Sequence, residues 1–439
     1  METFRVILYY FTCRSHYLAG KKSPESISYE TLTQVHSYRL HHQAHQDLFI
    51  GLRYFKKALQ LVWNSADGAA LVEKNASAIF DAGAQSESAR KSYIKAITHE
   101  IPSLFLHKEN MAYPHGLGAR MVETILLSVF AVWIIPITLF SKKRGSFSLN
   151  LLEVIENARL LEHLKKHDIK KVFYFCGFNK DANFAACLLR TNSIYCHKVP
   201  SSNPIKNFYQ QVVADGFSFT APYQKQEFEQ LKTKWMVRDF KEWPVFHFEQ
   251  IQPLIPTYSQ PESKTLGFIS SGIWRRIERG DQALGVGEYE SELRLIAFLK
   301  EFLAENAAIK FYVFLHPIEK KTPELQQKAE DYYRTQISPS AAFFPAEIPS
   351  YKLFDKVDVS IAAYSSTNLE RLYAGFKTLY APLGIRSDYY ADSALNNIAA
   401  FDESALRSLL KLSSQKSDNE FFTSNQLEAY HHNYYRSLF

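Results

Sequence analysis

Two stretches decide how this chain folds: Lys310-Phe311-Tyr312-Val313-Phe314-Leu315-His316-Pro317 and Asp358-Val359-Ser360-Ile361-Ala362-Ala363-Tyr364-Ser365-Ser366-Thr367. Each begins as a short apolar run that reads as a buried strand, and each breaks at once into polar residues. Pro317 lacks an N–H and restricts the residue before it, so His316 is held extended where the first strand stops. Ser365, Ser366 and Thr367 stand where a helix begins, Asn368 to Ala374, closed by Gly375. Hydroxyls and free N–H groups at a helix start make an anion seat. An open parallel sheet takes its ligand beyond the carboxyl ends of its strands. The two stretches therefore predict that His316 and the hydroxyl cluster share one nucleotide phosphate.

An HP motif at one strand end and an SS/ST motif at the next resemble the nucleotide-binding half of bacterial sialyltransferases and polysialyltransferases, from about Phe268 to Asn397. CDP-glycerol glycerophosphotransferases and capsule transferases carry a similar pair. The resemblance implies a GT-B-like α/β fold, two Rossmann-like domains facing a cleft, here with an extra N-terminal helical region. It implies that His316 and Pro317 contact a cytidine phosphate, and that Ser365 and Ser366 hold the phosphate or the donor sugar. The family's acidic pair followed by glycine is absent from the N-terminal half. Asp181, in Asn-Lys-Asp-Ala-Asn after a predicted strand, and Asp215, in Ala-Asp-Gly, stand nearest to it in kind. Asp181 is the expected base because it falls where an open sheet places its ligand. A role as a helix N-cap fits Asp181 equally.

Outward from these motifs, the strand–polar loop–helix rhythm continues, the pattern of βαβ units and a parallel sheet. Leu266–Ile269 reads as the first strand of the second half and ends in Ser270-Ser271-Gly272. Glycine there lets backbone approach a ligand, so Ser271 and Gly272 join the expected donor site. Thr367 completes the hydroxyl cluster, and Glu370, in the helix after it, suits a ribose or sugar hydroxyl. Arg275 and Arg276 are placed to add charge or to stand in solvent. Upstream, Leu152–Lys166 reads as a helix, Lys171–Cys176 as a strand, Phe184–Arg190 as a helix and Ser193–Val199 as a strand. Phe4–Thr12 is β-rich and reads as the first strand, Ser28–Gln60 as helical, and Ala66–Lys95 as helix and loop. Proline-rich Thr257–Ser263 reads as a linker. The expected domains are 1–256 on the acceptor side, with the helical region and the apolar segment 121–140, and 264–400 for the nucleotide sugar. Helices Glu403–Leu412 and Glu420–Ser437, within 401–439, are expected to pack back across both.

Composition narrows the class. The 439 residues are 46% hydrophobic and 22% charged, normal for a globular protein of two or three domains. A formal charge of +6 without a basic run or RNA-binding signature excludes nothing anionic but does not suggest nucleic acid. The four cysteines have no CxxC spacing, so buried reduced thiols are expected rather than zinc. His41 and His45 share the i, i+4 spacing of a helix face but lack the acidic partner of HExxH, so a polar helix face is the expectation, with an acceptor-binding or acid/base role for one of them as the alternative. No DxD-type motif stands at a strand end, so no obligatory metal and no cofactor are expected. Gly285 and Gly287 do not build GxGxxG, which disfavours a dinucleotide enzyme.

Ile125–Phe140 is apolar apart from Ser128 and Thr138 and runs into Lys142, Lys143 and Arg144. It is short of the ~20 residues a bilayer span takes. A membrane-surface helix, a buried helix and a strained span all fit it. The expectation for the whole is a metal-independent glycosyltransferase with a CMP-linked donor and a glycan or glycolipid acceptor. It would build surface polysaccharide or lipopolysaccharide at the cytoplasmic face of the plasma membrane, with peripheral contact through 125–144. A CDP-glycerol-type polyol-phosphate transferase and a catalytically silent scaffold of the same fold are the alternatives.

Overall fold

The computed structural model describes residues 2–39, 48–63, 77–81, 91, 94–95, 102–107, 117–140, 144–176, 182–200, 212–219, 235–237, 239–242, 248–278, 288–384 and 394–437. The chain divides into two compact units, one of residues 1–219 and 231–243, the other of 220–230 and 244–439.

The first unit opens with three helices, α1 (Glu2–Leu18), α2 (Pro24–Arg39) and α3 (Leu48–Trp63). The run Phe4–Thr12, expected as a strand, lies inside α1. The buried side chains of α1 are Thr3, Val6, Ile7, Tyr10 and Cys13, a stripe at helical spacing. Strand propensity of Val, Ile, Tyr and Phe yields here to a 3.6-residue apolar period. Tyr10 anchors the stripe, its ring edge-on to Phe130. The strand β1 (Ser77–Asp81) stands inside Ala66–Lys95, where helix and loop were expected; Ala78, Ile79 and Phe80 are buried. There follow β2 (Leu104–His107), α4 (Leu117–Phe140), α5 (Arg144–Lys166), β3 (Lys171–Cys176), α6 (Asn183–Thr191) and β4 (Tyr195–Pro200). Short strands β5 (Val212–Val213), β6 (Gly216–Phe219), β7 (Trp235–Met236) and β8 (Asp239–Glu242) complete the unit. The main sheet has the order β2-β1-β3-β4-β6-β8, with every adjacent pair parallel. Of the histidine-rich stretch, His41, His42 and His45 lie outside the described residues. So do Asp181, Gly285, Gly287, Lys142 and Lys143.

The second unit holds α7 (Phe248–Ile251), β9 (Thr265–Ile269), α8 (Ile273–Glu278), α9 (Glu288–Glu305), β10 (Lys310–Phe314) and α10 (Pro323–Gln336). It continues through β11 (Ala342–Phe343), β12 (Val359–Ala362), α11 (Ser366–Ala374) and β13 (Thr378–Tyr380). Its sheet is also parallel throughout, in the order β11-β10-β9-β12-β13. All residues of β9 and β12 are buried, as strands covered on both faces must be. The chain winds from β9 to β10 and β11 on one side, then crosses to β12 and β13 on the other. The order thus reverses beside β9, the switch point where an open sheet leaves a crevice.

Helices α12 (Glu403–Gln415), α13 (Asp418–Ser424) and α14 (His432–Ser437) close the chain. Leu406, Leu410, Phe421, Phe422, Leu427 and Tyr430 are core residues of the second unit. The single helix expected over Glu420–Ser437 breaks at Asn425-Gln426, where Gln426 takes φ 56°. Arg371 of α11 is fully buried and donates to the carbonyls of Phe354, Val357 and Lys377. It ties the segment before β12 to the strand after the helix.

Cys13, Cys187 and Cys196 are buried thiols, none of them in a disulfide. Among the described residues no group of three His, Cys, Asp or Glu side chains is arranged to hold a metal ion. Among them, too, no helix is long and apolar enough to cross a membrane. On α4, Leu117, Met121, Ile125, Val129 and Val132 are exposed, while Leu127 and Phe130 face the core.

Candidate functional site

A cavity of about 500 Å³ lies at the carboxyl ends of β9, β10 and β12, wholly within the second unit. Ser270 and Ser271 border it after β9, His316 and Pro317 after β10, and Tyr364 to Thr367 after β12. Residues far apart in sequence therefore meet at one crevice. Arg276, Lys320, Tyr351 and Glu370 also line it. Asp215, in the first unit, is buried and accepts the Cys196 N–H at 3.0 Å, a structural bond across the start of β4.

His316 is fixed on both sides. Its backbone N–H donates to Glu319 Oε2 at 3.0 Å, and its Nδ1 accepts the Ile318 N–H at 3.2 Å. An imidazole that accepts at Nδ1 carries its proton on Nε2 when neutral. Burial, with the Arg276 cation adding to it, lowers the His316 pKa to about 4, so the ring is neutral at ordinary pH. His316 is thus a neutral Nε2–H donor, not a cation.

Ser365 is the N-cap of α11: extended at φ −162°, its Oγ accepts the Thr367 N–H at 3.2 Å. The Ser366 and Thr367 hydroxyls make no hydrogen bond among the described residues, which leaves them for a ligand at the positive end of the helix. Gly375 ends α11 at φ 93°, the left-handed C-terminal position glycine fills best. Glu370 is buried one turn into the helix and lines the cavity floor.

Two buried carboxylates lie beneath the loops. Glu292 of α9 accepts the Ser271 N–H at 3.0 Å and the Ser271 hydroxyl, and the Tyr364 hydroxyl lies 3.1 Å from that same Oγ. Glu319 accepts the Tyr333 hydroxyl at 2.8 Å. Tyr333 Oη lies 2.6 Å from Ser270 Oγ, which in turn accepts the Gly272 N–H at 2.8 Å. Burial raises both carboxyl pKa values, that of Glu292 to about 7; hydrogen bonds from Ser271 to Glu292 and from Tyr333 and the His316 N–H to Glu319 oppose the rise, as does Arg276, and the Glu319 charge adds to it at Glu292. Ser271 is hydrogen-bonded to Glu292 through both its amide and its hydroxyl, and a side chain at Gly272, φ 86°, would run into Ile318 and His316.

Of the basic pair after β9, Arg275 pairs with Glu278. Arg276 faces the cavity and donates Nε to the Ser271 carbonyl at 3.1 Å. Lys320, half-buried, gives one hydrogen bond to the Ile348 carbonyl, and burial lowers its pKa. Glu292, Glu319, Lys320 and Tyr364 were not anticipated as site residues. The sequence does signal Glu292, a carboxylate in register with Leu295, Ile296 and Leu299 on the buried face of α9. Glu319 lies three residues past His316, in a turn where its N–H returns to the His316 carbonyl.

No protein-family model matches the chain. No curated protein matches it either. Among solved structures it is similar to UDP-N-acetylglucosamine 2-epimerase from Rickettsia bellii, with a TM-score of 0.45 at 10% identity over 81% of this chain and 94% of that one. MurG of Acinetobacter baumannii gives 0.40 at 14% identity, over 81% and 94%. A mutant O-GlcNAc transferase of Thermobaculum terrenum gives 0.38 at 10%, over 91% and 79%. Likeness this distant says nothing of chemistry. The chain's own topology, two parallel-sheet α/β units in succession with an added helical N-terminus, is GT-B-like.

Proposed function

We propose that the chain is a glycosyltransferase that takes a nucleotide-activated sugar, CMP-linked, in the cavity of its second unit. The observation that carries the reading is the meeting of His316, the start of α11 and Arg276 around one crevice at the switch point. Departure of a nucleotide leaves charge on its phosphate, and preorganised donors stabilise that charge. Here the donors are His316 Nε2–H, the Ser366 N–H, the Ser366 and Thr367 hydroxyls, and the Arg276 guanidinium, the Thr367 N–H being held by Ser365 Oγ. Lys320 adds a second cation. Together they make a metal-independent receptor for a phosphate. Glu370, on the cavity floor, is the acceptor for a ribose or sugar hydroxyl. Asp181 remains the proposed base for the acceptor's hydroxyl proton.

The acceptor is proposed to be a glycan or glycolipid of the cell surface, met at the cytoplasmic face of the membrane. The exposed apolar side chains of α4 and the Lys142-Lys143-Arg144 sequence after it support peripheral contact with anionic lipid. A thermal-shift screen with CMP, CDP, UDP and GDP tests the donor. A ligand that binds only the folded state raises the melting temperature by mass action. Cytidine nucleotides are expected to stabilise the chain; stabilisation by UDP or GDP alone would refute the CMP assignment.

A further inference from the structure

We propose that Glu292 is a proton-holding positioning residue: an anion beside Ser271 and Tyr364 is received with a proton on the Glu292 carboxyl, which reverses the hydroxyl chain so that it points at the anion. The inference rests on the phosphate-binding reading above and concerns a residue that never touches the ligand.

The geometry sets up two arrangements of the same atoms. Glu292 faces Ser271 with both oxygens, one on the amide and one on the hydroxyl, and Tyr364 stands 3.1 Å beyond on the cavity wall. An ionised carboxylate only accepts. Ser271 must then give its single hydroxyl proton to Glu292, and Tyr364 gives its own to Ser271. Both O–H bonds point away from the cavity. With Glu292 protonated, the carboxyl O–H donates to Ser271 Oγ, Ser271 donates to Tyr364 Oη, and the Tyr364 proton turns to the cavity. A phosphate favours the second arrangement, because it meets a donor where it would otherwise meet lone pairs. The added proton comes from solvent, and no covalent bond to the ligand forms or breaks.

The neighbours of Glu292 make the exchange easy. Glu319, after β10, disfavours a second negative charge there, whereas the hydrogen bonds from Ser271 and the Arg276 cation of α8 favour it; the Tyr333 hydroxyl of α10, hydrogen-bonded to Glu319, stays neutral. Arg276 also lines the cavity, so a bound anion competes with Glu292 for the same cation. Burial has already brought the Glu292 carboxyl close to neutrality in its pKa.

The test is calorimetric titration of CMP into the full chain at pH 7.5, in two phosphate-free buffers of different ionisation enthalpy. Phosphate monoesters have their second pKa near ~6, so CMP itself takes up little proton at this pH. The expected uptake is about one-half to one proton per CMP, and the affinity should fall about tenfold from pH 7.5 to 8.5. Glu292→Gln mimics the protonated carboxyl, its amide donating to Ser271 Oγ and its carbonyl accepting the Ser271 N–H. It should bind CMP without proton uptake, and more tightly than wild type at pH 8.5. Tyr364→Phe cuts the chain at its outer end and should bind more weakly, also without uptake. Equal uptake in wild type and either variant overturns the proposal. Binding by wild type without uptake overturns it alone; no CMP binding at all overturns the phosphate reading with it.

Discussion

Replacing Gly272 by alanine perturbs the loop between β9 and α8 at its tightest point. The residue sits at φ 86°, and a Cβ there would stand 2.6 Å from Ile318 Cδ1, 2.9 Å from Ile318 Cγ1 and 3.3 Å from His316 Nδ1. A left-handed conformation costs an L-residue about 1–2 kcal/mol. Moving Ile318 off its rotamer adds about 1 kcal/mol. The expected loss is therefore roughly 2–3 kcal/mol of stability. Gly375→Ala is the comparison in the same unit: it has a similar φ of 93°, but its nearest neighbour is the end of a side chain, His431 Nε2 at 3.0 Å. It should cost only the conformational part, about 1–2 kcal/mol. Urea unfolding gives both numbers. Calorimetry with CMP gives the functional consequence: in Gly272→Ala the displaced Ile318 N–H no longer fixes His316 Nδ1, and affinity should fall at least tenfold, about 1.4 kcal/mol. Gly375→Ala should bind CMP normally. Equal stability losses with equal, unchanged affinities would refute the claim that Gly272 sets the position of His316.

Glu292→Gln should also change the pH dependence of stability. The folded carboxyl has a pKa raised to about 7, so the folded chain keeps a proton that the unfolded chain releases. That stabilises the fold at low pH and is lost as pH rises from the ordinary carboxylate range through about 7. Removing the titration should stabilise the protein at pH 8 by up to about 3 kcal/mol and leave pH 5 nearly unchanged, as read by urea unfolding; an equal effect at both would be inconsistent with a raised pKa. Arg371→Met strips three backbone carbonyls of their buried donor. It should destabilise the second unit by about 3 kcal/mol or more, and a loss under ~1 kcal/mol in thermal or urea unfolding would contradict the role given to it. Ile125 and Val132 are 60% and 64% exposed on α4. Ile125→Ser with Val132→Ser should lower co-sedimentation with anionic vesicles several-fold at unchanged melting temperature; undiminished sedimentation speaks against membrane contact through this face.

The second unit was legible in the sequence because its signals are local and redundant. Strand ends at His316-Pro317 and Tyr364-Ser365 coincide with a proline and an N-cap, and Gly375 marks the close of α11. The first unit was harder to read. Val6, Ile7 and Tyr10 belong to any strand propensity list, and only the 3.6-residue spacing of the buried set Val6, Ile7, Tyr10, Cys13 identifies a helix. Strand β1 is five residues long and stands between stretches without periodicity, so nothing local announced it. The site's outer wall could be read from motifs. Its inner layer could not, because Glu292 and Glu319 act through hydrogen bonds made only when α9, α10 and two loops are brought together. A carboxylate on an apolar helix face was the available signal, and it gains meaning only with a partner such as Ser271 in view.

The convergence of His316 and the start of α11 on one phosphate is tested most directly by a double-mutant cycle on CMP affinity. Ser366 is the right partner, since the Ser365 hydroxyl is already committed to capping Thr367. The dissociation constant is measured for wild type, His316→Ala, Ser366→Ala and the double variant. Two donors on the same phosphate should weaken binding singly and couple by about 0.5 kcal/mol or more in the cycle. Losses that simply add, or single variants that bind CMP as tightly as wild type, would contradict a shared phosphate site.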